Sequence, residues 1–360
     1  MINIISRLAG ILLITATFVD IYLTVLYPRN GKSILSLPLS KAIWALFRRI
    51  AKIMPFQNKR LLSFCGPTIV VAIVIVWVTL YVVGFALFLQ PALGTGIQSS
   101  SGTTPTDFFT AFYYSGFTFT TLGVGDLIPK NSFYQVLTVI QAAVGFAVFT
   151  LALTYLLSVY SALTRRNAFA LSLHHRMGGS PSVVQMIIRL KAYGKFEGAP
   201  QEVANMANEL MFLLESHHAY PILHYFRFQE NYYSLARMML IALDLSTLVK
   251  SALSPKVYNA FIESTAIAQL ESGSLFMLTQ IRKSLVESDD SQYKTTSEAD
   301  WRQFYYGAVE EFRQSGLQTV TDIEAGADRY VSLRYRWQKD VATLAKYMDY
   351  KWYEISSGER

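Results

Sequence analysis

The sequence predicts an all-α integral membrane protein whose second half forms an α-helical cytoplasmic domain. Three observations carry that prediction. First, of 360 residues 52% are hydrophobic and only 16% charged, with a positive mean hydropathy of +0.28. Soluble domains are nearer a quarter charged, so part of this chain belongs in lipid. Second, residues 61–106 and 131–164 hold no charge at all. Third, residues 1–163 carry ten Lys and Arg against three acids, whereas 164–360 carry twenty-two of each. The net charge of +7 thus belongs wholly to the apolar half, which argues against a nucleic-acid-binding domain.

The stretch 67–90 is long enough to cross a bilayer core of about 30 Å at about 1.5 Å per residue. A helix over 132–163 would run roughly 48 Å, so its end projects beyond the lipid. A third span is expected at 8–28, interrupted by Asp20. The basic segment 28–66 holds Arg29, Lys32, Lys41, Arg48, Arg49, Lys52, Lys59 and Arg60 and no acid, which keeps it cytoplasmic. The amino terminus then lies outside, and the 132–163 helix returns to the cytoplasm at Arg165 and Arg166. A cleaved signal peptide, the other reading of an apolar run behind Arg7, would put the basic segment outside. Within that segment Leu39, Ile43, Leu46, Phe47, Ile50, Ile53 and Met54 recur at helical spacing, predicting an amphipathic helix over 36–54 on the inner leaflet.

Between the two long apolar helices lies 105–133. Pro105, Thr106 and Asp107 are helix-start residues, and the apolar run behind them is too short to span. It ends in TTLGVGD, where Gly123 and Gly125 alternate with Leu122 and Val124. Non-helical backbone at membrane depth is tolerated only where it lines protein or water. Such an alternation lets successive carbonyls point one way and replace the hydration shell of a cation. The preceding short helix aims its negative carboxyl end at the same place.

The stretch AFYYSGFTFTTLGVGDLIP resembles the pore helix and filter of potassium channels, bacterial ones included, that set a pore loop between two transmembrane helices. The pair Tyr113–Tyr114 fits that pattern, and Gly145 stands where the family has its inner-helix hinge glycine. The resemblance covers about 67–165, less than half of the chain. It implies a re-entrant pore helix and selectivity filter in which Thr121, Leu122, Gly123, Val124 and Gly125 bind permeant potassium, with the Thr121 hydroxyl innermost. Asp126 closes the outer mouth, while Tyr113, Tyr114, Phe117 and Thr120 support the filter. One filter cannot encircle an ion, so the resemblance implies a homotetramer, in contact with lipid in a bacterial inner membrane. Two positions depart from the family. Val124 replaces the usual aromatic, and Phe117 stands where some relatives carry a glutamate. Potassium selectivity with altered filter stability and weaker cation selectivity both stay open.

On the returning helix Thr150, Thr154, Ser158 and Ser161 recur at steps of four, four and three, a stripe suited either to pore water or to contacts between helices. Phe146 and Phe149, one turn inside Gly145, are candidates for narrowing the cavity.

Residues 164–360 predict helices at 180–190, 200–217, 229–252, 255–286, 299–315 and 322–355, with capping-box spacing at Thr321 and Glu324 and a polar loop over 288–298. No dinucleotide-binding glycine motif or run of short strands is present. Cys65, the single cysteine, excludes an intrachain disulfide and reads as an unreactive buried thiol. His217, His218 and His224 read as packing rather than as a metal site, and His174 and His175 are expected just beyond the inner helix, where protonation could bias a gate. Arg334, Arg336 and Lys339 read as a solvated face. No nucleophile–base set or metal cluster is evident, so the chain is expected to be a channel, not an enzyme, with no cofactor beyond permeant potassium ions. The domains expected are an N-terminal span (1–30), a basic amphipathic segment (31–66), a pore domain (67–165) and a cytoplasmic gating domain (166–360) that answers to an unidentified ligand or partner. A membrane-anchored signalling or scaffold protein with a vestigial pore is the alternative from another class.

Overall fold

A computed structural model describes residues 2–27, 33–53, 58–191, 195–285 and 296–356. Arg29, Lys32, Met54 and most of the polar loop expected at 288–298 lie outside the described residues. The chain is an all-α membrane protein. Three of its helical segments are long and apolar enough to cross a bilayer: Asn3–Leu26, Cys65–Ala92 and Ser132–Arg176. It forms two compact units, one of Met1–Arg49, Phe64–Ser161 and His218–Ile222, the other of Ile50–Ser63, Ala162–His217 and Leu223–Arg360.

In the first unit, α1 (Ile2–Ile21) continues into a π-helical turn at Tyr22–Leu26 and packs on α4 (Cys65–Leu89). Their backbones nearly touch: a Cβ on Gly10 would lie 2.4 Å from the Gly84 carbonyl oxygen. Small residues are what permit such an approach between membrane helices. Ser6 Oγ adds a 2.7 Å bond to the Leu87 carbonyl. Asp20, which interrupts the apolar run, is fully buried and fully satisfied. It accepts from the Leu35 and Ser36 amides (2.7 and 3.3 Å), from Ser36 Oγ (2.5 Å) and from Trp77 Nε1 (2.8 Å). One carboxylate therefore caps α2 (Ser36–Ile53) and ties it to α1 and α4. The expected amphipathic helix is present, with Leu46 and Ile53 exposed, but its buried residues are Ser36, Ser40, Trp44 and Ala51.

The short α5 (Phe108–Phe119) follows, and β1 (Ile97–Ser99) pairs antiparallel with β2 (Leu127–Pro129) on either side of it. This ribbon was not expected from the sequence, because three-residue strands carry too little periodicity to read. Then α6 runs unbroken from Ser132 to Arg176, 45 residues or about 68 Å, past the expected end at 163. His174 and His175 thus form its last turn rather than following it. Its end is glycine-capped: the Gly179 amide bonds to the His174 carbonyl, the Gly178 amide to His175, and Gly178 has φ 66°.

The second unit surrounds α9 (Leu235–Ala252), a helix buried on almost every side. Packed on it are α7 (Val183–Leu190), α11 (Thr265–Leu285), α12 (Glu298–Gln314), α13 (Ile323–Tyr335) and α14 (Gln338–Tyr347). The unit also contains α3 (Asn58–Ser63), α8 (Ala199–Ala219), α10 (Pro255–Ile262) and α15 (Trp352–Ile355). The pattern at 255–286 splits at Glu263, and that at 322–355 splits at Trp337 and again at Asp349, whose φ of 59° ends a helix. The helix expected to be capped at Thr321 starts instead at Asp322, whose carboxylate accepts from the Ala325 amide at 3.0 Å.

Arg336 is exposed and paired with Glu271, and Lys339 is exposed, but Arg334 is not on a solvated face. It is fully buried 3.5 Å from Asp244, among the rings of Trp301, Tyr330 and Trp337. Helical spacing alone gave no sign of this, since the partner lies ninety residues back. Replacing Arg334 with Met should strand a buried carboxylate and destabilise the second unit by about 3–5 kcal/mol. The melting temperature by circular dichroism checks this, and the double change Arg334→Met, Asp244→Leu should recover most of the loss.

Candidate ion-conduction site

The pore-loop region is built from the end of α5, the strand behind it and the face of α6. Asp107 starts α5, accepting from the Thr110 amide at 3.0 Å and from its hydroxyl at 2.7 Å. The helix ends in a 6→1 turn, the Leu122 amide bonding to the Phe117 carbonyl (2.9 Å) and the Thr121 amide to Thr118 (3.1 Å). That motif requires a left-handed residue, which is usually glycine. Here it is Thr121, with φ 58°. Asp349 is the other described non-glycine residue with positive φ. A β-branched residue in this region costs roughly 1–2 kcal/mol, and such strain gathers at functional sites.

From Thr121 onward the backbone alternates. Thr121, Gly123 and Gly125 have φ of 58°, 59° and 82°, while Leu122 and Val124 keep negative φ. Every residue from Thr120 to Asp126 is exposed in the single chain. Thr121 Oγ1 donates to the Thr120 carbonyl at 2.6 Å, and Thr120 Oγ1 bonds back to the Gly116 and Phe117 carbonyls. The ribbon pins the far end: the Ser100 amide bonds to the Asp126 carbonyl and the Lys130 amide to Gly96, both at 2.8 Å.

Behind the strand, Phe117 sits edge-on to both Tyr113 and Tyr114, with centroids 5.2 and 5.1 Å away. Tyr114 is buried and its hydroxyl donates to Thr138 Oγ1 at 2.6 Å, while Tyr113 is partly exposed beside Asp126. Polar support comes from residues not singled out in the sequence. Gln141 Nε2 donates to Ser115 Oγ (2.8 Å) and to the Ser115 carbonyl (3.2 Å), and Ser115 Oγ donates to the Val82 carbonyl of α4 (2.9 Å). The network joins three helices, so no local spacing could have disclosed it. The hydroxyl of Thr118 is buried beside the Tyr114 phenol, whose own proton goes to Thr138.

On α6, Gly145 is buried against the end of α5, and a Cβ there would lie 2.1 Å from the Phe119 carbonyl oxygen. The helix passes Gly145 without interruption, so in this state the residue acts as a close-packing glycine. Phe146 and Phe149 are 68% and 67% exposed in the single chain. Thr150, Thr154 and Ser161 are exposed and Ser158 half-buried, and both threonine hydroxyls bond to carbonyls one turn back in their own helix. The structure therefore brings Gly145 to the base of the filter, while the polar stripe lies one to four turns further on.

The histidines lie outside this region. His174 stacks on Tyr232 at 4.8 Å, and His217 and His224 are buried with their Nδ1 atoms 3.1 Å apart. Among the described residues no three His, Cys, Asp or Glu side chains are placed to hold a metal. Cys65 is buried.

Substituting Gly145 with Ala should overpack the α5–α6 contact by about 1–3 kcal/mol, lowering the thermal midpoint of the purified protein in detergent. Ion flux in liposomes should fall with it.

Comparison with known proteins agrees with this geometry. Residues 69–162 match a family model described as "Ion channel". A Bacillus subtilis (strain 168) protein, the uncharacterized membrane protein YdjJ, is 28% identical over 219 residues, 61% of this chain and 62% of that one. A Caenorhabditis elegans protein, TWiK family of potassium channels protein 9, is 43% identical over 47 residues, 13% of this chain and 8% of its own length. The chain thus matches less than two thirds of either relative's length. No solved structure matches it. Residues 69–162 of this membrane protein are thus similar to an ion-channel domain.

Proposed function

We propose that four copies of this chain surround one axis and conduct potassium through main-chain oxygens of Thr121–Gly125. The alternating handedness of Thr121, Gly123 and Gly125 supports this, because it lets successive carbonyls share one side and stand in for water around a dehydrated cation. Exposure of the whole strand in the single chain is what an element facing an axis or neighbouring copies requires. The C-terminal end of α5 adds negative potential there. The similarity to a nematode potassium channel protein across 47 residues points to the same ion.

In this reading Phe146 and Phe149 narrow the cavity, and Thr150, Thr154, Ser158 and Ser161 face its water. The basic segment places the 166–360 region in the cytoplasm of a bacterial cell, where it gates the pore. The role is transport without covalent chemistry. Val124, which carries no phenol to brace the strand, favours a second reading, a filter of reduced discrimination.

Bi-ionic reversal potentials on the reconstituted chain separate the two. A preference for potassium over sodium beyond about tenfold, or about 1.4 kcal/mol, supports the first. Equal permeability overturns it in favour of the second, and intact oligomers without flux favour a scaffold. Substituting Phe149 with Ala should raise open probability or conductance in single-channel recordings; no change in either removes it from the gate.

A further inference from the structure

The second unit holds a concentration of buried positive charge that the conduction pathway does not use. Arg227 is only 3% exposed, yet its Nε and Nη1 atoms have no hydrogen-bond partner. Its Nη2 lies 3.9 Å from Glu354 Oε2, beyond hydrogen-bond range, and its guanidinium stacks 4.4 Å from the Tyr350 ring. Arg166, 1% exposed, donates to the carbonyls of Leu223 (2.8 Å) and Phe226 (2.9 Å) and leaves Nε unpaired. No described carboxylate pairs with it. Tyr350 links the two: burial pushes its phenol up, and Arg227 and Arg166 both act to lower it. Lys59, at the rim, reaches Glu354 Oε1 at 2.8 Å.

Two cations, Lys59 and Arg227, therefore share one carboxylate, and a third, Arg166, sits by Tyr350 with none among the described residues. Burying unpaired guanidinium N–H groups is costly, and a site that keeps them suggests an occupant richer in acceptor oxygens than Glu354. Glu354 sits on α15, a four-residue helix, and is held by the Lys351 amide at 3.0 Å as well as by its cations. A carboxylate offers two oxygens. A phosphate group offers three, matching the ammonium of Lys59 and the vacant edge of the Arg227 fork.

We propose that Lys59, Arg166 and Arg227 form a binding site for a phosphate-bearing anion, for which the Glu354 carboxylate is the built-in competitor. Lys59 lies six residues ahead of Cys65, where α4 starts, and Arg166 is on α6. Two of the three cations are thus carried on the chain segments that flank residues 69–162 on either side. The site stands independently of what the pore conducts.

The test uses the full-length chain in phosphatidylcholine nanodiscs, with two probes: phosphatidic acid added to the bilayer, and inorganic pyrophosphate added to the buffer. Binding is read by native mass spectrometry, and release of α15 by hydrogen exchange at 352–356. One probe should bind and raise exchange there, and which one does so identifies a lipid headgroup or a soluble phosphate as the source. E354Q should bind it about tenfold more tightly and R227Q about tenfold more weakly. If R227Q is not monodisperse, K59Q at the half-exposed rim replaces it and should weaken binding about threefold or more. The proposal is overturned if neither probe binds, if E354Q gains no affinity, or if the cation variant binds like the native chain.

Discussion

The arrangement of the channel domain depends on a single left-handed residue. Thr121 ends α5 and, in the same step, begins the segment whose φ alternates in sign through Gly125. Were the helix to continue, Leu122–Gly125 would be sealed in intrahelical hydrogen bonds with no oxygen free for an ion. The chain uses the same 6→1 closure after α6 and after α12, with Gly178 and Gly316 at the left-handed position. Glycine is the unstrained solution, and among the described residues Thr121 and, after α14, Asp349 take that position at a cost in stability.

Support for that strained turn comes from behind and from both ends. The Ser115–Gln141–Val82 connections fix the middle of α5 to α4 and α6. The ribbon β1–β2 holds the outer end of the strand. Since an outward-facing strand of this kind contributes almost no buried apolar area, its order must be imposed by neighbours. The second unit solves a different problem. Its α9 is apolar on nearly all sides, and the polar groups that it does carry find partners inside: Asp244 with Tyr330 and Arg334, Thr247 with Trp337.

Local chemistry was legible in the sequence, and remote partnership was not. Pro105–Asp107 announced a helix start, the glycine spacing after Thr121 announced irregular backbone, and the apolar face at 36–54 announced an amphipathic helix. Each depends on residues within a few positions of one another. Asp20 looked like an interruption of a span because its donors are at Leu35, Ser36 and Trp77. Arg334 looked solvated because Asp244 is far away in sequence. The length of α6 was underestimated because the charges at Arg165 and Arg166 end an apolar run, which is not where a helix must stop.

The missing side chain at Gly145 has a mechanical corollary. The inner helix presents a flat notch, one residue wide, to the last carbonyl of the helix before the filter. Successive residues on a helix are about 100° apart, so turning α6 by one position would drive Val144 or Phe146 against that oxygen. A small tilt about this contact keeps the notch in register; twisting or sliding does not. Axial rotation of the long rod is thereby opposed by the end of α5, so α6 cannot turn about its axis without displacing the Thr121 turn that follows.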